Sequence, residues 1–76
     1  MLKEYFFVLE LKDGRTITLW DIIPENEATN KCLTLHNHYN ALSSAKVCPS
    51  DFASYAGFLN VMRIHGYNGY WRPSPI

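Results

Sequence analysis

Five side chains belong to types that bind transition metals or attack carbonyl carbon: Cys32, His36, His38, Cys48 and His65. Cys32 and His36 stand four apart, so one helix would aim both at a single ion, in the manner of a zinc site. The set contains no C-x-x-C and no H-x-x-x-H pair, and Cys32 fits an apolar helix stripe equally well. A free cysteine is more often a small buried hydrophobe than a ligand, so no metal and no cofactor is expected. A Cys32–Cys48 disulfide is disfavoured for an intracellular chain.

Cys48 lies just ahead of an expected helix, whose dipole lowers a thiol pKa. A nucleophile also needs a base, and His36, His38 or His65 would have to fold toward it. Nothing local marks an oxyanion hole, and so small a chain offers little wall for a substrate pocket. Glu25 and Glu27 are two apart and point to different sides of a helix; they suit the positive end of its dipole instead. Gly14, Gly57, Gly66 and Gly69 are scattered, so no phosphate loop is present. The expectation is a protein with no catalytic residues.

The stretch that remains is the C-terminal HGYNGYWRPSPI. Tyr67, Tyr70 and Trp71 could stack on single-stranded bases while Arg72 meets a phosphate, at about 1–3 kcal/mol per base. Tyr, Trp and Arg are equally the residues that dominate protein interfaces. A third outcome is that the tail docks on the second helix and covers the chain's own core.

Composition narrows the choice. Of 76 residues, 47% are apolar, 14% aromatic and only 18% charged, which supplies a core and argues against disorder. Seven basic residues balance seven acidic ones. Duplex nucleic-acid binders carry a basic stripe because phosphate neutralisation provides most of their non-specific affinity; this chain has none. A polybasic membrane patch is absent too. MLKEYFFVLELKDG lacks the form of a signal peptide, and no run approaches the ~20 apolar residues of a membrane span. A soluble cytoplasmic protein with one small domain, residues 1–76, is expected.

The elements that must position the tail begin with a β-hairpin over residues 4–23, rich in aromatic and β-branched types around Asp13-Gly14. A two-residue loop would pair Phe7 with Trp20 and leave both faces half apolar. A three-residue loop, Lys12-Asp13-Gly14, with Gly14 left-handed, pairs Leu9 with Ile17 and Phe7 with Leu19. That register gathers Tyr5, Phe7, Leu9, Leu11, Ile17 and Leu19 on one side and is preferred. Phe6, Val8 and Trp20 then face the other way.

Ile23-Pro24-Glu25 reads as a helix start. Ala28, Cys32, Leu35, Tyr39 and Leu42 share one helical face; the rival is a strand over residues 33–39. Residues 43–47 read as loop. A second helix is expected from Phe52 to Ile64, with Ser50 as N-cap and Gly66 as stop. Its main apolar face holds Phe52, Tyr55, Phe58, Leu59 and Met62, and a smaller strip holds Ala53, Gly57, Val61 and Ile64. Pro73 and Pro75 forbid further helix and stiffen the end. The plan is α+β: an antiparallel N-terminal hairpin packed on two helices, with an aromatic C-terminal segment able to add a short edge strand.

So many apolar faces exceed what one small domain can easily cover, and large exposed patches mark partner sites. The functional expectation is a non-enzymatic protein-interaction module. It suits an accessory or inhibitory protein, of the kind that bacteriophages and mobile elements encode, which occupies a partner's surface or closes a homodimer. Phe6, Trp20, Tyr67, Tyr70, Trp71 and Arg72 are the expected contact residues. The alternative is a single-stranded nucleic-acid binder using the same aromatics, which zero net charge disfavours.

Overall fold

A computed structural model describes all residues, Met1–Ile76. Strands β1 (Leu2–Glu10) and β2 (Thr16–Pro24) form the hairpin; helix α1 (Ala28–His38), strand β3 (Ser43–Val47), helix α2 (Tyr55–Ile64) and strand β4 (Arg72–Pro73) follow. The fold is α+β, with one four-stranded sheet in the order β3-β1-β2-β4. β3 and β2 run antiparallel to β1, and β4 runs parallel to β2.

The hairpin has the three-residue loop. Leu11 N–H donates to Arg15 C=O at 2.8 Å, and Gly14 N–H, at φ +89°, donates to Leu11 C=O at 3.1 Å. Asp13 accepts from both the N–H and the guanidinium of Arg15, which holds its carboxyl below the usual carboxylate range. Phe7 therefore pairs with Leu19 and Leu9 with Ile17.

Alternation then sorts the side chains. Tyr5, Phe7, Leu9, Leu11 and Leu19 join Ala28 and Leu35 of α1 in one cluster, together with Ala41 and Cys48. Phe6, Val8 and Val47 join Phe58 and Met62 of α2 in another. One helix lies on each side of the sheet. The hairpin's second face, expected to stay partly uncovered, is roofed by α2. Phe7, Leu9, Leu19, Leu35 and Met62 are fully buried, and each such burial contributes about 1.5–3 kcal/mol.

Besides the expected helix start, where Pro24 instead ends β2 and Glu25–Glu27 form a single 3-10 turn ahead of α1, three expectations about element boundaries change. Residues 33–39 are helical as far as His38, so the rival strand is ruled out, but the helix stops before Leu42, which is exposed. Asn40 takes a left-handed φ of 52°, tolerated by Asn better than by most residues. Its N–H bonds Asn37 C=O and the Ala41 N–H bonds His36 C=O, the Schellman closure. Leu42 N–H then clips onto Glu10 C=O at 2.8 Å, and residues 43–47, expected as loop, become the edge strand β3. Their weak strand propensity is overridden by this long-range pairing, and exposed Lys46 guards the open edge. Third, α2 starts later than expected. Pro49–Asp51 form a single 3-10 turn, and Ser54 is the cap, its Oγ accepting from Gly57 N–H at 3.2 Å.

Ion pairs fasten the periphery. Lys31 on α1 meets Asp21 on β2 at 3.2 Å, and Lys3 meets Glu25 at 3.3 Å; such pairs are worth about 0–1 kcal/mol. The Glu25 contact raises the Lys3 pKa, and burial raises that of Tyr5. No helix is long and apolar enough to cross a membrane.

Candidate functional site

The tail is placed by the end of α2. His65 closes the helix, Gly66 turns at φ +97°, and Tyr67 N–H returns to Met62 C=O at 3.0 Å. This Schellman closure brings Tyr67 against Met62 in the α2-side cluster. A side chain at Gly66 would meet Thr16 at 3.2 Å, so glycine also permits the close approach of the helix end to β2. Asn68 Oδ1 then accepts Tyr70 N–H at 3.2 Å, and Gly69 turns at φ +95°. The chain rejoins the sheet at β4, where Ser74 N–H donates to Trp20 C=O at 2.9 Å.

That route delivers Trp71 onto the sheet face. Its ring stands edge-on to Phe6 at 5.8 Å and tilted against Trp20 at 5.3 Å. Such aromatic pairs add about 0.5–1.5 kcal/mol beyond their area. Phe6 also packs on Phe58 at 5.4 Å, and Phe58 on Tyr55 at 5.8 Å. A continuous aromatic row thus runs from β2 across the tail to α2.

Of the six expected contact residues, Phe6, Trp20, Tyr67 and Trp71 meet on the α2 side of the sheet, while Tyr70 and Arg72 flank Trp71 along the tail; their access is unequal. Phe6 is buried and forms the floor under Trp71. Trp20 and Tyr67 are half-buried, and Trp20 Nε1 is buried without a hydrogen-bond partner. Trp71 is 49% exposed and Tyr70 80%, and Arg72 is exposed and belongs to no ion pair.

Beside this row lies an apolar groove of about 270 Å³, with Phe6, Phe58 and Met62 beneath and Tyr55, Tyr67 and Trp71 around it. Glu4 is its single charged lining residue. Tyr55, 71% exposed, is the functional candidate that the sequence hid. Its place on the apolar helix face was visible, yet no local signal says that the tail stops short of covering it. A second, smaller cavity of about 180 Å³ lies on the far side of Trp71, between β2 and the tail.

The cysteine and histidine set does not converge. No group of three or more His, Cys, Asp or Glu side chains lies together. Cys48 is buried in the α1-side cluster, with Sγ 3.0 Å from Ser50 Oγ, and Cys32 packs against that cluster. Both thiols are free. His36 Nδ1 sits 3.0 Å from Ser44 Oγ, while exposed His65 caps the other helix. Cys48 also precedes only a single 3-10 turn, so the helix dipole expected at its thiol is missing. What the tail side offers chemically is apolar and aromatic area, the unpaired guanidiniums of Arg72 and of Arg63 on α2, and two cavities.

No protein-family model matches the chain, no curated protein matches its sequence, and no solved structure matches its fold.

Proposed function

We propose that the chain is a non-catalytic protein-interaction module, an accessory or inhibitory protein that works by occupying a partner's surface. The observation that carries this reading is Trp71: a large aromatic anchored on Phe6 and Trp20, yet half-exposed, between exposed Tyr70 and the groove that ends at Tyr55. Rigid aromatics beside a shallow apolar groove, with an arginine at the edge, have the composition of interface hot spots. The partner is a protein, either a different chain or a second copy.

Peptide-display selection on the immobilised chain tests this reading. Selected binders should lose at least about tenfold in affinity to Trp71→Ala, a hot-spot loss, while the variant keeps its circular-dichroism spectrum. Binders indifferent to both Trp71→Ala and Tyr55→Ala overturn it.

Tyr70 and Trp71 beside Arg72 also support a second reading, stacking on single-stranded nucleic acid. Seven basic against seven acidic residues argue against it. Binding of oligo-dT that falls steeply with salt would favour this reading over the first.

A further inference from the structure

In an antiparallel pair, residues alternate between those whose N–H and C=O face the partner strand and those that face away. The Leu11–Arg15 bond fixes this alternation in β2: Ile17, Leu19 and Asp21 face β1, and Thr16, Thr18, Trp20 and Ile22 face outward. Most of the outward edge is occupied. Ile22 N–H donates to Asp21 Oδ1 at 2.8 Å, and Trp20 C=O accepts from Ser74. The β4 register begins at Leu19 opposite Arg72. Had the parallel strand extended backward, Tyr70 would bond Thr16 C=O and Thr18 N–H. Its N–H turns instead onto Asn68 Oδ1, and Gly69 lifts the chain away. The vacated rung is the cavity of about 180 Å³ bordered by residues 16–18 of β2, apolar Ile17 among them, and by Asn68, Tyr70, Trp71 and Arg72.

We propose that this notch captures the C-terminal carboxylate of an extended partner peptide; the proposal rests on the interaction reading above and names the part of the partner that is recognised. A main-chain acceptor at Thr16 followed by a donor at Thr18 fits one extended residue lying parallel to β2, as in strand addition. The notch is smaller than the ~300 Å³ at which small-molecule pockets begin. β4 fills the edge directly beyond it, so a docked chain running parallel must end there. The group at that end meets the Thr18 N–H, on a buried residue, and Arg72, whose guanidinium has no carboxylate of its own. A backbone donor and a guanidinium together select a carboxylate and repel an amino terminus.

The test is a titration of the ¹⁵N-labelled full chain with N-acetylated trivaline bearing a free carboxylate, and with its C-terminal amide. The free acid should shift the amides of Thr16, Thr18 and Arg72 and the indole N–H of Trp71. Amidation, or Arg72→Gln, should weaken binding at least about tenfold, as loss of a charge-assisted hydrogen bond does. Equal responses to acid and amide overturn the proposal, as does silence at Thr18. Silence here with Trp71-dependent binding of selected peptides would sink the carboxylate notch and leave the interaction module standing. Loss of the Trp71 dependence would sink the module itself.

Discussion

The two faces of the sheet are built from the same hairpin and end up unlike. On the α1 face, Phe7, Leu9, Leu19 and Leu35 are fully buried, with the partly buried Ile17, Ile23, Cys32 and Tyr39 packed around them and no aromatic row left open. On the α2 face, Phe6, Val8, Phe58 and Met62 are buried, but Trp20, Tyr67 and Trp71 stay partly open and Tyr55 is largely exposed. The α1 face is a core; the α2 face is a core with an aromatic shelf beside it. A chain of this size folds on the first and has area to spare on the second.

The sharpest way to break that contrast is Leu35→Ala. It should cost about 2–5 kcal/mol by cavity formation, a large share of the roughly 4–11 kcal/mol available to a chain of this length. Urea denaturation should show it largely unfolded or with a much lower midpoint. A loss below that of Trp71→Ala would mean that the α1 face is not the one holding the fold.

Gly66→Ala should come next, at about 1–2 kcal/mol for a side chain in the left-handed region, with the added methyl pressed on Thr16. Because this turn aims the tail, the variant should also lose binder affinity, unlike a substitution of comparable cost on the α1 face. Unchanged affinity would show that Trp71 finds its seat without the Gly66 turn.

Part of this asymmetry is legible in the sequence. The hairpin register follows from loop chemistry and periodicity, because Gly14 suits the three-residue turn and that register alone makes one face wholly apolar. The α1 stripe and the Gly66 stop are read the same way. β3 is not legible: Ser43-Ser44-Ala45-Lys46 carries no strand signal, and only pairing with β1 makes it one. The shift of the α2 start from Ser50 to Ser54 is equally hidden, since both serines are good caps and Pro49 fits a 3-10 turn as well as a helix. The aromatic tail announces itself, but the burial of Phe6 and the exposure of Tyr55 depend on where two distant segments cross.

A smaller effect arises near the start of β1. Lys3 and Tyr5 both have pKa values raised in the folded state. Each holds its proton more tightly when folded, so its stabilisation is complete below the unfolded pKa and is lost as pH rises through the folded one. Thermal midpoints should therefore fall from about pH 9 to pH 11, across the ordinary Tyr and Lys range. Lys3→Met should flatten part of that fall, and a midpoint indifferent to alkali would contradict the sign.

The central claim, that the lone chain keeps Trp71 open as a contact residue, is tested most directly by its fluorescence in a Trp20→Phe background, where Trp71 is the sole tryptophan. In dilute chain its emission should be red-shifted and readily quenched by acrylamide, and a selected binder or a rise in protein concentration should shield it. Emission already blue-shifted and protected in the dilute monomer, or unmoved by a bound partner, would contradict it.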